Sequence, residues 1–341
     1  MRRLFWTAAL AVMALTSGAF AEGKKIGVAW GDLAQPRWRW DVTAMRSVIE
    51  RSGNEYIPVD AGGSAAKQLQ DIEKMIEQGV DALVIQPVDK DEIMAGVERA
   101  AQAGIPMIAY DRLIEHEKVF YITFDNVGVG RLIAAIVKQA QPTGNYVIIK
   151  GDPGDANTGF LRQGMEEVIG AAVASGQIKI VGEANADGWR PENAKAIMEK
   201  ALTETGNQVD AVLAQNDSMA GGAIEALTAA GLTIPIGGQD GDPAALNRVA
   251  MGTQTVSVWK NNLDLAKQAG RIAVQLAEGT PMNLIQDARQ FSGGEKGIPV
   301  WSIMLNPTPI TADTLNIVIE ADHVTKAEVC RNALPTVAAC R

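Results

Sequence analysis

Histidine, cysteine and positive charge are all scarce in this 341-residue chain. Two histidines and two cysteines are too few for a zinc site of the usual His and Cys ligand sets. Basic residues number 31 against 40 acidic ones, a formal net charge of −9, so no basic surface is available for phosphate backbones or anionic lipid. There is no Gly-x-Ser-x-Gly elbow and no His-Glu-x-x-His helix. "NVGVGRL" lacks the third glycine of a dinucleotide fingerprint, and "GDPGDANTG" lacks the Lys-Ser/Thr of a phosphate loop. Both read as turns into helices. His116 ("LIEHEK") and His323 ("EADHVT") stand in polar surroundings and read as solvated surface residues.

Only one segment is apolar enough to suggest a membrane signal, and it is short. Met1-Arg2-Arg3, "LFWTAALAVMAL" and a terminal Ala19-Phe20-Ala21 have the basic, apolar and small-x-small order of a secretory leader cleaved after Ala21. Removal would leave an exported chain with 29 basic and 40 acidic residues, net −11. The two cysteines, Cys330 and Cys340, both lie in the C-terminal tail. In an oxidising compartment they are expected to pair and staple it, the alternative being two unpaired thiols on a frayed end.

What the chain does have is a recurring β/α rhythm, in a length that suggests two domains of roughly 150 residues each. Apolar, β-branched runs such as "KKIGVAW", "ALVIQP", "VFYITFDN", "NYVIIKG" and "AVLAQN" alternate with amphipathic stretches. Those stretches open on a polar capping residue and close on glycine. Nearly all-apolar strands separated by helices imply parallel βαβ units with both sheet faces covered, an α/β fold. The rhythm restarts after residue 126. No low-complexity linker divides the halves, so the chain is expected to cross between domains at structured segments near 124–127, 259–263 and 299–306.

Ligands of open parallel sheets bind beyond the strands' carboxyl ends. The segments just past the strands are alike in kind: "GDLAQPRWRWD", Asp111-Arg112, "DPGDANTGFLR", "NADGWRPEN", Asn216-Asp217, Gln239-Asp240 and Trp259-Lys260. A sugar ring presents apolar C–H faces and hydroxyls that both donate and accept. Indoles cover the faces, Asp accepts, Lys and Arg donate, and Asn does both. Trp38 and Trp189 supply the indoles; Arg37, Arg112 and Lys260 the donors; Asp111 and Asp240 the acceptors; Asn157 and Asn216 both. Taken singly, each has a plainer reading: Trp189 as a loop plug, Asn216 as a helix cap, Asp111-Arg112 as a surface ion pair.

A glycosidase built on Asp111, Asp155, Asp217 or Asp240 is the enzymatic alternative. Against it, Asp111 has Arg112 beside it and Asp240 has Gln239. No carboxylate stands in an apolar context that would raise its pKa to that of a general acid. A sugar-responsive repressor core would need a basic DNA-binding head, which is missing.

The chain resembles the periplasmic sugar-binding proteins of ABC transporters, of the ribose, galactose and arabinose type, and most of all the D-xylose-binding proteins. The likeness runs over the whole mature chain and is carried by "RW" before the first helix, "AYDR", "FYITFDN", "DGWRPENA", "NDSMAGGAI", "GQDGD" and "GTQTVSVWK". It implies a type I binding-protein fold, two doubly wound parallel-sheet domains joined by three crossing segments. The lobes would comprise 22–125 with 262–300, and 126–261 with 301–341. It implies no cofactor, and D-xylose bound by Arg37, Trp38, Asp111, Arg112, Asn157, Trp189, Asn216, Asp240 and Lys260. It further implies a monomer that closes on the sugar and delivers it to a membrane permease. Trp40, outside that set, is expected to pack against its own domain.

Overall fold

A computed structural model describes residues 23–34 and 37–341; the leader expected at 1–21 lies outside them. The first run of elements is β1 (Lys25–Trp30), α1 (Trp38–Arg51), β2 (Glu55–Asp60), α2 (Ala65–Glu77), β3 (Ala82–Ile85), α3 (Met94–Gln102), β4 (Met107–Tyr110) and β5 (Val119–Phe124). After Asp125 the second run is α4 (Asn126–Ala140), β6 (Gly144–Lys150), α5 (Ala156–Ala174), β7 (Ile178–Asn185) and α6 (Pro191–Thr205). It continues with β8 (Ala211–Ala214), α7 (Asp217–Ala229), β9 (Ile236–Asp240), α8 (Pro243–Met251) and β10 (Val256–Trp259). The chain then returns through α9 (Asn262–Ala277), β11 (Arg289–Phe291) and β12 (Val300–Leu305). It ends in β13 (Thr308–Ile310), α10 (Asn316–Glu320) and α11 (Lys326–Val329).

The strands form two sheets, ordered β2-β1-β3-β4-β5-β12-β11 and β7-β6-β8-β9-β10-β13. Every pairing is parallel except β11 on β12 and β13 on β10, both at sheet edges. The central strands are wholly buried because helices cover both faces, which is why β3, β4, β5 and β8 read as unbroken apolar runs. Helix starts follow the capping logic: the side chains of Ser64, Asp125, Asp155, Asn216 and Asn261 each accept a first-turn amide.

The chain passes between sheets three times, after β5, after β10 and between β12 and β13. The last passage corrects the boundary drawn at 300/301. All of β12 pairs with β5 in the first sheet, so the crossing falls at 306–307, where Asn306-Pro307 interrupts the extended chain. In the tail, Cys330 and Cys340 are disulfide-bonded. They help close a small core of Leu246, Val249, Trp259, Ile310, Leu315 and Val318 against α8.

Candidate functional site

The carboxyl ends of both sheets face one another, and the nine residues singled out from the sequence line a single narrow chamber between them, with Asp155 and Gln239; with the side chains drawn together across it, its free volume is about 20 Å³. Each lobe supplies part of the wall. The turn into α1 brings Arg37 and Trp38, and the end of β4 brings Asp111 and Arg112. Asp155 and Asn157 come from the start of α5, Trp189 from the loop before α6, Asn216 from the cap of α7, and Gln239-Asp240 from β9. Lys260 stands on the second crossing and is 2% exposed.

The charges are arranged across the cleft, not along the chain. Arg37 bridges the lobes: its Nη1 lies 2.7 Å from Asp240 Oδ1 and its Nη2 lies 3.0 Å from Asp111 Oδ1. Lys260 Nζ stands 3.4 Å from Asp111 and 3.6 Å from Asp240. Arg112, expected to pair with its neighbour Asp111, reaches Asp155 of the opposite lobe at 2.9 Å, and Asp240 pairs with Arg37, not Gln239. Both aspartates stand at positive-φ backbone positions, Asp111 at +62° and Asp240 at +109°. Burial alone would raise the Asp111 carboxyl, but Arg37, Lys260 and Arg112 outweigh it and hold it at about 2. Arg37 loses by desolvation and gains more from Asp111 and Asp240, so it stays protonated.

Three cations therefore face three carboxylates, and the chamber is electrically balanced. Trp189 is 5% exposed and also adopts a left-handed backbone, φ +58°. Of the seven non-glycine residues with positive φ among the described residues, three are thus in this chamber. Such conformations cost of order 1–3 kcal/mol each and persist where the surroundings over-determine them. The indole of Trp189 lies directly over Gly151, where a Cβ would come within 2.2 Å of the ring. Four buried polar atoms of chamber residues, Arg37 Nε, Trp38 Nε1, Trp189 Nε1 and Gln239 Oε1, have no protein partner.

Some roles differ from the sequence reading. One face of Trp38 is taken by the Arg37 guanidinium, 4.1 Å from the ring centroid, and the indole packs among Trp30 and Tyr110. The Asn157 amide is engaged with protein: its Nδ2 donates to the Asp111 carbonyl at 3.1 Å and its Oδ1 accepts from Asn126 at 2.8 Å. Trp40 is 51% exposed and does not pack into its domain, because its position on α1 points away from α9 and the sheet. His323 is half-buried, not solvated: it bonds the Gly241 carbonyl at 2.8 Å and lies against Trp259.

Carboxyls with raised pKa do exist, contrary to the sequence reading. Burial pushes Asp41 up to about 6, against the pull of Arg37 and hydrogen bonds from Tyr110 and Asn262. Burial and the nearby Asp240 charge push Asp242 up to about 7. Burial also raises Asp217, with the nearby Asp242 charge, and Asp155, against the pull of Arg112. Of the four only Asp155 lines the chamber; their burial arises from long-range packing that local sequence does not display. Asp155 and Gln239 were missing from the sequence-derived ligand set. Asp155 was named from the sequence only as a strand-end carboxylate for the glycosidase alternative; the structure makes it a helix cap and pairs it with Arg112 across the cleft. Gln239 adjoins Asp240 at a strand end, a signal that was present.

The description "periplasmic binding protein domain" matches residues 26–281. The D-xylose-binding periplasmic protein of Escherichia coli (strain K12) is 38% identical over 325 residues, 94% of this chain and 97% of that protein. Its namesake in Haemophilus influenzae is 38% identical over 310 residues, 90% and 91% of the two chains. An ABC transporter solute-binding protein from Clostridium phytofermentans, solved with bound β-D-glucose, superposes with a TM-score of 0.82 at 28% identity, covering 90% of this chain and all of that one. The chain belongs to the periplasmic binding protein family, among the sugar-binding proteins of ABC transporters, which are transport components and not enzymes.

Proposed function

We propose that this protein captures D-xylose in the chamber between its lobes and hands it to the permease of an ABC transporter. The observation that carries this reading is the balance of the wall: three cations and three carboxylates in mutual contact, with an indole over one side. A charged ligand would upset that balance. A neutral polyol exploits it, because its hydroxyls accept from Arg37, Arg112 and Lys260 and donate to Asp111 and Asp240. Each charge-assisted hydrogen bond contributes roughly 1.5–3 kcal/mol net. The nine residues named from the sequence are the contacts of this reading. Lobe closure is the switch, since a ligand touching both half-sites favours the form in which they meet. Binding takes place in the periplasm, by a monomer, after the leader has been removed behind Ala21. The xylose assignment is supported by the names of the 38% identical relatives.

A hexose reading has its own support in the glucose-bound structural neighbour. Thermal shift followed by calorimetry over D-xylose, D-ribose, L-arabinose, D-glucose and D-galactose separates the two. The expected result is a 1:1 complex with D-xylose at least tenfold tighter than with any other sugar. A preference for D-glucose would transfer the assignment to hexoses, and silence across the panel would remove the sugar reading of the chamber.

A further inference from the structure

Asp240 owes its direction to a turn that ordinary residues avoid. β9 ends with Asp240 at φ +109° and Gly241 at φ +76°, two successive left-handed positions. One oxygen gathers most of the bonds that hold this turn, beside the Ser257 hydroxyl, which also accepts from the Gly241 amide at 3.1 Å, and His323 on the Gly241 carbonyl. Oδ2 of Asp217 accepts from the amides of Gly241 and Asp242, each at 3.0 Å, and from the Ser257 hydroxyl at 2.6 Å. Its other oxygen accepts from Gln254 Nε2 at 2.8 Å, and Gln254 is itself fixed by Arg248 Nε at 3.0 Å. Asp217 is completely buried, and it is not among the residues lining the chamber. Room for it is made by Gly238, where a Cβ would stand 2.5 Å from Asp217 Oδ1. The fixed turn delivers the Asp240 carboxylate to Arg37 on the other lobe.

We propose that Asp217 is a positioning residue for sugar binding: it never touches the ligand, and it sets affinity by clamping the 240–242 turn that aims Asp240 into the chamber. The proposal rests on the sugar-binding reading above. Burial and the Asp242 charge push the Asp217 carboxyl up, but four donors converge on its two oxygens, and a carboxylate meets them because it accepts on both oxygens and donates on neither. An amide would offer one acceptor and turn its NH2 toward either the turn amides or Gln254, leaving a buried donor facing a donor.

The test is a double-mutant cycle read by calorimetry, with D-xylose and D-glucose as probes. Asp217→Asn in the native background is expected to weaken binding at least tenfold. In an Asp240→Asn background, itself weakened, the same change is expected to cost less than twofold, because the carboxylate it positions is already gone. Equal losses in both backgrounds, or none in the native one, would overturn the proposal. Ser257→Ala, which removes one donor to the same oxygen and one acceptor of the Gly241 amide, supplies a milder second cycle that decides the matter if Asp217→Asn does not fold. It is expected to cost two- to fivefold, again only when Asp240 is present. A native-like affinity for Asp240→Asn alone would contradict the sugar site itself, and the positioning proposal with it. A weakened Asp240→Asn with additive losses would contradict only the role of Asp217.

Discussion

Replacing Gly151 by alanine adds one methyl group, and the structure specifies what that methyl meets. It would lie 2.2 Å from Cη2 and Cζ2 of Trp189 and 2.4 Å from Cζ3, where contact between carbon atoms needs about 3.5–4.0 Å. One side must therefore move by more than an ångström. The backbone at 151 is tied at both ends, its amide to Gln215 Oε1 at 2.8 Å and its carbonyl to Asn185 Nδ2 at 2.7 Å. The loop carrying the indole is tied as well: the Gly188 amide donates to Asp152 Oδ2 at 2.6 Å, and that of Trp189 to the Ala186 carbonyl at 3.0 Å. The freer motion is rotation of the indole about its side-chain bonds, toward the chamber. Loss of a stacked face together with intrusion into the ligand's volume is expected to cost about 1.5–3 kcal/mol, a ten- to hundredfold rise in Kd. Strain in the fold itself adds about 1–3 kcal/mol, visible as a lowered Tm. Calorimetry with D-xylose on Gly151→Ala and Trp189→Ala, both checked for native circular dichroism, makes the comparison. If Gly151→Ala binds within twofold of the native protein while Trp189→Ala loses tenfold or more, the seating of the indole on Gly151 is refuted.

Other perturbations read different parts of the account. Arg37→Gln removes both arms of the bridge between Asp111 and Asp240 and is expected to weaken sugar binding at least tenfold. Small-angle scattering should also show less compaction on adding sugar, and a native response would argue against the bridge. Asp41 titrates at about 6 in the fold against 3.8 unfolded, so its protonated form is favoured by folding and its contribution is fully present below pH 3.8. That contribution is lost as pH rises through 6, by about 3 kcal/mol. Urea titrations should accordingly find the stability advantage of the native protein over Asp41→Ala larger at pH 4 than at pH 7. An advantage that grows with pH would contradict the sign. Replacing Cys330 and Cys340 by serine opens an 11-residue loop and is expected to remove about 2–3 kcal/mol, lowering Tm by several degrees. Sugar affinity should stay within twofold, because neither cysteine lines the chamber.

The two-sheet architecture could be read in advance because each strand and helix is locally complete. Apolar runs such as "VFYITF" specify a doubly covered strand, and Ser64 and Asn216 mark helix starts by the same chemistry that caps them in the structure. The chamber's members were legible for a related reason. The fold places every strand's carboxyl end on one side, so polar residues just past the strands gather without any knowledge of distance. Their pairing was not legible. Arg112 lies next to Asp111 in sequence, yet it is Asp155 that it meets, and that contact depends on the approach of the opposite lobe. The burial of the Asp41, Asp217 and Asp242 carboxyls was hidden for the same reason, since their surroundings come from segments far apart in the chain, such as Tyr110 and Asn262 around Asp41.

The central claim, that indoles and balanced ionic groups from both lobes enclose one neutral monosaccharide, is tested most directly by a crystal structure of the complex with D-xylose. The account predicts one sugar ring in the chamber, in contact with Trp189 and hydrogen-bonded to Asp111 of one lobe and Asp240 of the other. A sugar bound elsewhere, or these side chains turned away from an occupied cleft, would contradict it.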